Sequence, residues 1–303
     1  MKRIFLVNPA AASGNNKASF DQARRYFLNT TGNFEFKKSS SRTHLIHLTQ
    51  KALEEGYEQI VAIGGDGTAN AVANGFFSKE GQPINPEACI AVAKLGTGSD
   101  YFRTLSGNSH KDWKEIVLSP KKVRADLGLI RAGQGRAHDA YFLNMSGVGA
   151  SAEVVRLKEG LPHWMPKELS YIVPTLQLVP RLKFYPAKIE ADEKQYNLNL
   201  LGAFISKGKF AGGGMRFGQN VELGDGEFEV TLIGEMKALE TLKNIPHLFM
   251  GSLDRVPGVI KFRAKKMRIE CAKKASIEMD GELCGKTDVN YELIPQAIQV
   301  CTG

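Results

Sequence analysis

The string Ile63-Gly64-Gly65-Asp66-Gly67-Thr68 sets three glycines, a carboxylate and a hydroxyl directly behind a buried apolar run. Glycines let the backbone approach a phosphate, and a helix starting here offers unpaired N–H groups and the positive end of its dipole. Asp66 inside such a loop repels a phosphate unless a cation stands between them, and magnesium would serve. Read as a plain strand-to-helix turn, the same string needs no ligand. Leu95-Gly96-Thr97-Gly98-Ser99-Asp100 and the stretch from Asn8-Pro9 to Ser13-Gly14-Asn15 repeat this glycine-rich chemistry at two further strand ends. Three such ends favour a nucleotide site at the C-terminal edge of a parallel sheet. Near the end of the chain, Asp280-Gly281-Glu282 places two acids around a glycine. They form either a hairpin turn or the general base that a hydroxyl nucleophile needs in phosphoryl transfer.

The elements that must position these residues differ between the two halves. In the first half, residues 3–7, 59–63 and 89–93 read as buried strands, with helical patterns over 18–29, 43–55 and about 68–77. The 43–55 pattern places Leu45, Leu48 and Ala52 on one face with Ile46 and Leu53 beside it. That βαβαβ rhythm predicts a parallel sheet with helices on its faces. After about residue 125, strands are expected at 125–131, 140–146, 185–191, 196–205, 227–233, 259–264, 267–271 and 275–279. Their density predicts an antiparallel sandwich or barrel. Residues 161–186, with Trp164, Met165, Tyr171, Leu176 and five prolines, read as a helix with loops that either shelters acyl chains or caps a core.

Composition narrows the function classes. The 303 residues favour two domains, each able to bury its own core. No apolar run is long enough to span a bilayer or to serve as a secretory signal, so a cytoplasmic chain is expected. Cys89, Cys271, Cys284 and Cys301 contain no CxxC pair and read as reduced thiols. The net charge of +8 concentrates in residues 1–42 and 255–274. In the second stretch Lys261, Arg263, Lys265, Lys266 and Arg268 alternate with apolar residues, which puts the charges on one face of a hairpin with a slip near Lys265-Lys266. That face is either simply solvated or meets an anionic membrane. Nucleic acid is disfavoured because only Phe262 supplies a stacking aromatic there. Gly281 to Thr287 is one residue short of a Walker A loop, Gly147 to Ala152 lacks the following parallel strand of a dinucleotide fold, and His44 with His47 lacks a third metal ligand.

Taken together, Asn8-Pro9 with Gly14, Gly64 to Thr68 followed by Asn70 and Asn74-Gly75, Leu95-Gly96-Thr97 with Asp100, Asp126, Gly212-Gly213-Gly214, Asp225-Gly226 and Asp280-Gly281-Glu282 occur in an order that resembles the bacterial diacylglycerol kinase and related lipid kinase family. The resemblance covers nearly the whole chain. It implies an α/β + β fold: an N-terminal α/β nucleotide-binding domain with a parallel sheet (1–125 plus 291–303) and a C-terminal antiparallel β-sandwich lipid-substrate domain (126–290), with ATP between the domains. By the same resemblance, Asn8, Pro9, Ala10, Ala11, Ala12, Ser39, Gly64, Gly65, Asp66, Gly67, Thr68, Ala69, Asn70, Ala71 and Thr97 match nucleotide-binding positions. Glu282 matches the proton acceptor, with Asp280 beside it and Asp66 in a catalytic role. Asp66, Asp100 and Asp126 match a carboxylate network near a catalytic Mg2+, while Asp225 with main-chain oxygens of Glu222 and Glu227 matches a structural Mg2+ site. The implied activity is transfer of the ATP γ-phosphate to a diacylglycerol-like hydroxyl, at an anionic membrane surface that the chain meets peripherally, without nucleic acid; a homodimer is compatible with it. The chain departs from the family at Ala71, where a glutamate is usual, at Ala12, usually glycine, and at Ser99, usually asparagine. An NAD kinase and a non-catalytic nucleotide- or lipid-binding homologue are the alternatives.

Overall fold

Arg3–Val7 (β1) is almost wholly apolar, and its four residues from Ile4 to Val7 are fully buried. Such runs suit a strand covered on both faces. The computed structural model, which describes residues 1–8, 17–31, 34–94, 99–107, 112–131, 139–162, 165–166 and 169–303, places β1 in the middle of a parallel sheet. On one side lies β2 (Glu35–Lys38), on the other β3 (Gln59–Gly64), and β3 pairs in turn with β4 (Cys89–Lys94). Helices α1 (Lys17–Thr31), α2 (Arg42–Glu54) and α3 (Asp66–Asn74) connect these strands. Helices α4 (Asp100–Ser106) and α5 (Trp113–Leu118) follow β4. Phe5 sits with Phe27, Phe34 and Phe36 at ring-centroid distances of 4.7, 4.7 and 5.0 Å, an aromatic cluster between α1 and the sheet. The buried polar Gln59 is satisfied from outside the sheet, donating through Nε2 to the Val117 carbonyl of α5 at 2.8 Å.

The chain divides into one unit of Met1–Asp126 with Pro295–Gly303 and a second of Leu127–Ile294. The second unit contains β6 (Ala140–Phe142) and β7 (Met145–Gly149), then α6 (Ala150–Glu159) and α7 (Leu169–Leu178). Strand β5 (Lys122–Arg131) leads into it. Next come β8 (Tyr185–Ala191), β9 (Lys194–Ser206), β10 (Phe228–Gly234), α8 (Ala238–Met250), β11 (Val259–Ala264), β12 (Lys266–Cys271), β13 (Ser276–Met279) and β14 (Glu282–Lys286). Strand β15 (Val289–Cys301) closes the chain, and its Gln299 and Val300 pair in parallel with Cys89 and Ile90 of β4. Pairing in the second unit is antiparallel, in the order β14-β13-β7-β9-β8-β12, with β10 and β11 continuing from β9. Strand β8 shows why: Tyr185, Ala187, Ile189 and Ala191 point into the core, while Pro186 and Lys188 point out. The expected α/β half with a parallel sheet and the antiparallel, sandwich-like second half are both observed.

Two expectations need correction. Helices α6 and α8 occupy segments in which no helix was anticipated. The basic run 261–268 is not one hairpin: β11 pairs with β10, whereas β12 pairs with β8 and β15. The chain changes partners at Lys265, whose N–H, with that of Lys266, donates to the Asp192 carboxylate. Four of the five charges face acids: Lys261 meets Glu229, Arg263 meets Asp225 and Glu227, Lys266 meets Glu292, and Arg268 meets Glu270.

All four cysteines are free thiols. Among the described residues no helix is long and apolar enough to cross a membrane.

Gly128 of β5 lies opposite Phe142 of β6, and a Cβ at Gly128 would come within 2.0 Å of the Phe142 ring. Gly128→Ala is therefore expected to lower unfolding free energy by about 1–3 kcal/mol through overpacking, measured by urea denaturation. An unchanged midpoint would mean that this ring moves freely.

Candidate functional site

The parallel register brings three predicted strand ends side by side. Val7 pairs with Lys38 on one side and Ile63 on the other, and Gly64 pairs with Lys94. Asn8, Ser39 and Gly65 therefore gather at one sheet edge. The Asn8 N–H donates to the Ile63 carbonyl, and Ser39 donates through both its N–H and Oγ to the Val7 carbonyl. Glycine is required at position 64 because a Cβ there would lie 2.2 Å from Thr68 Oγ1. At Gly65, the N-cap of α3, a Cβ would meet nothing within 4 Å among the described residues. The Thr68 N–H donates back to the Gly65 carbonyl, and the N–H groups at the start of such a turn suit an anionic group. Pro9, Ala10, Ala11, Ala12 and Thr97 lie outside the described residues, so the structure places only part of the expected nucleotide set.

Asp66 ties two strand-end loops together. Its carboxylate accepts from Ser99 Oγ at 3.1 Å and from the Asp100 and Tyr101 N–H groups, both at 3.0 Å. Ser99 in turn caps α4 by accepting from the Phe102 N–H. Asp66 thus neutralises the first turn of α4 and ties the β3–α3 loop to the β4–α4 loop. Buried Asp100 pairs with Arg103 at 3.1 Å, and buried Asp126 accepts from the Gln296 N–H at 2.8 Å. Among the described residues no group of three His, Cys, Asp or Glu side chains converges on a metal position.

Ala69 and Ala71 are 0% and 1% exposed, so neither side chain is available to a ligand, and the departure at Ala71 lies in a packed interface. Asn70 is also buried, and its Oδ1 accepts from Arg42 and from Asn74 Nδ2. Arg42 at the start of α2 and Lys94 at the end of β4 are cations near the strand-end edge that motif reading passed over. The basic excess of residues 1–42 was the available signal for Arg42. His44 serves the cap of α2, where Ser40 N–H donates to Nδ1 at 3.0 Å, and is not part of a metal pair.

In the second unit, Asp280 and Gly281 form the two-residue loop joining β13 to β14, with φ values of 47° and 84°. Both central residues at positive φ define the tight hairpin turn that matches strand twist. The Asp280 carboxylate accepts from the N–H groups of Leu143, Asn144 and Met145 at 2.9, 3.0 and 2.9 Å. This clamps the hairpin against the β6–β7 corner and makes Asp280 a positioning residue. Glu282, the next residue after the loop, is exposed at the start of β14. Tyr171 of α7 packs close by: a Cβ on Gly281 would lie 3.0 Å from its hydroxyl, and Cβ atoms on Gly212 and Gly213 would touch its ring. The hydroxyl also accepts from Lys158 Nζ at 2.8 Å. Gly212, Gly213 and Gly214 all have positive φ, which only glycine adopts three times in succession without strain. Of the remaining segment, Met165 is half-buried and Leu176 exposed, while Trp164 lies outside the described residues.

The expected structural Mg2+ position holds a lysine. Lys207, 1% exposed, donates through Nζ to Asp225 Oδ1 at 2.7 Å and to the carbonyls of Glu222 and Glu227, both at 3.1 Å. Those are the same oxygens assigned to the ion. Burial pushes the Asp225 carboxyl up, but hydrogen bonds from Lys207 and the Glu222 N–H, with the charges of Lys207 and Arg263, outweigh it and hold it below its ordinary value. The residues present do not fit a divalent ion there.

Motif reading also missed Glu278. Every residue of β13 is buried, and Glu278 Oε2 accepts from the Gly281 N–H at 3.0 Å while Oε1 has no hydrogen-bond partner among the described residues. Burial raises this carboxyl to about 8, helped by the Asp280 charge and opposed by the Gly281 N–H and Lys158. Glu278 thus keeps its proton at neutral pH, directly beneath the hairpin that carries Glu282.

Residues 2–130 match the family model described as the diacylglycerol kinase catalytic domain, and residues 145–302 match the YegS C-terminal NAD kinase beta sandwich-like domain. A diacylglycerol kinase of Staphylococcus haemolyticus is 24% identical over 254 residues, which span 84% of this chain and 73% of that protein. The crystal structure of a diacylglycerol kinase from Bacillus anthracis is similar in fold, with a TM-score of 0.73 at 18% identity, covering 100% of this chain and 97% of that one. A second Bacillus anthracis structure reaches 0.78 at 19% identity, covering 100% and 95%.

Because Glu278 has a folded-state value of about 8 against an ordinary 4.5, the folded chain binds more protons between those values. Its stabilising contribution is complete below the lower value and lost as pH rises through the upper one. Glu278→Gln, neutral throughout, is expected to flatten the decline in melting temperature between about pH 5 and about pH 9. Parallel curves for the two proteins would show that Glu278 is ionised in the fold.

Proposed function

The chain belongs to the family defined by the diacylglycerol kinase catalytic domain and the YegS C-terminal domain, and from that premise we propose that it transfers the γ-phosphate of ATP to the hydroxyl of a diacylglycerol-like lipid. The observation that carries the reading is the clamped hairpin: three backbone N–H groups hold Asp280, and the turn they fix presents Glu282 at the surface. In the proposed reaction the lipid oxygen attacks phosphorus in line with the departing ADP oxygen while Glu282 removes the hydroxyl proton. The first turn of α3, capped by Gly65, holds phosphate oxygens through backbone N–H groups, with Asn8 and Ser39 beside it at the sheet edge. Magnesium would neutralise the nucleotide's own phosphate charge; no step is assigned to a metal held by this chain's side chains.

A lipid acceptor is supported by the surface of α8. This helix buries none of its residues, and Leu239, Leu242 and Met250 are 63%, 46% and 60% exposed. Their spacing, completed by exposed Pro246, places them along one helical face, with Lys237 and Lys243 nearby. An apolar stripe flanked by lysines suits shallow insertion into an anionic bilayer. This surface is a better candidate for a peripheral contact than the basic run, whose charges are largely matched by acids. The β-sandwich's likeness to NAD kinases supports NAD as the alternative acceptor.

Incubation with labelled ATP and diacylglycerol, sphingosine, phosphatidylglycerol or NAD is expected to label diacylglycerol most. Labelling of NAD alone, or of nothing, contradicts the proposal. Replacing Leu239 and Leu242 together by glutamate is expected to weaken co-sedimentation with phosphatidylglycerol vesicles, at low salt, by about tenfold or more. Equal binding by both proteins would remove α8 from the contact.

A further inference from the structure

Lys207 follows the last residue of β9, in a Ser-Lys-Gly-Lys sequence that reads as an ordinary polar turn. Its ammonium nevertheless lies among the most deeply buried side chains of the second unit. An ammonium carries three donors, and all three acceptors here are within bonding distance: the Asp225 carboxylate at 2.7 Å and the Glu222 and Glu227 carbonyls at 3.1 Å. The loop around Asp225 closes on this group from several directions. Glu222 and Glu227 donate their N–H groups to the same carboxylate, and Arg263 reaches its other oxygen. One carboxylate and two carbonyls, all acceptors turned onto one buried position, call for a cation there.

We infer that the Lys207 ammonium is the built-in cation of the Asp225 loop, so that this unit holds its native shape without a divalent ion. The chain thereby replaces a ligand that must be captured from solution with a covalently attached charge, and no binding equilibrium remains at this position. The consequence extends along the backbone. The N–H groups of Lys207 and Gly208 both donate to the Asn144 carbonyl at 2.8 Å, and the Asn144 N–H is one of the three that hold Asp280. The fixed cation therefore anchors the segment that braces the Asp280–Gly281 turn. This inference goes beyond the proposed activity and stands without it.

Its test uses the full chain without nucleotide, compared in EDTA and in millimolar MgCl2. The wild type is expected to give the same melting temperature in both and no binding heat with Mg2+ or Ca2+. Lys207→Ala, which leaves the oxygens in place and opens room among them, is expected to melt about 6–15 °C lower in EDTA and to recover in part with Mg2+ or Ca2+. Adding Asp225→Asn should abolish that recovery. If Lys207→Ala folds only when the divalent ion is supplied, the dependence is stronger and the inference stands. A wild-type melting temperature that falls in EDTA and returns with Mg2+ overturns it. So does a Lys207→Ala protein as stable as the wild type in EDTA.

Discussion

A carboxylate withdrawn from water must be given donors, a cation or a proton, because an unmatched buried charge is among the costliest features a fold can hold. Much of the second unit's hairpin region and of the strand-end edge in the first follows from how this chain meets that demand. Asp66 is matched by the first turn of α4 and Ser99, and Asp280 by three successive backbone N–H groups. Asp225 is matched by Lys207 and Arg263. Glu278 finds one N–H only and keeps its proton. For the three aspartates the compensation joins segments distant in sequence, so these acids act as fasteners.

In the Asp280-Gly281-Glu282 turn, the first acid is committed to the backbone and fixes the turn, and the other acid is exposed at its exit. In the proposed reaction, a base at Glu282 would gain from a turn that Asp280 holds in place. The same logic applies at Gly64 to Thr68, where Asp66 faces α4 and the proposed phosphate contacts belong to Gly65 and the first-turn N–H groups.

The sequence made the parallel half legible because buried strands there are short apolar runs ended by glycine-rich turns, a local signal. The Asp280–Gly281 hairpin was legible for a similar reason, since its two residue types favour positive φ. What stayed hidden depends on remote partners. Glu278 sits in Ser-Ile-Glu-Met, whose alternation suggests an exposed glutamate, yet neighbouring strand β7 and the hairpin cover it. Lys207 looks solvated until Asp225, eighteen residues later, is folded over it. The charges of 261–268 looked like an open basic face because their acids, among them Glu229 and Glu292, lie outside that run. Helix α8 packs only half-buried residues such as Leu248 and Phe249 against the core, and Pro246 within it reads in sequence as a helix breaker.

The most direct measurement is single-turnover transfer of labelled phosphate from ATP to diacylglycerol in mixed micelles by Glu282→Gln and Asp280→Asn, with melting temperatures recorded on the same samples. If Glu282 takes the acceptor's proton and Asp280 fixes the turn, Glu282→Gln loses transfer by about a hundredfold or more at unchanged melting temperature, while Asp280→Asn loses both. Transfer by Glu282→Gln at the wild-type rate would contradict the account.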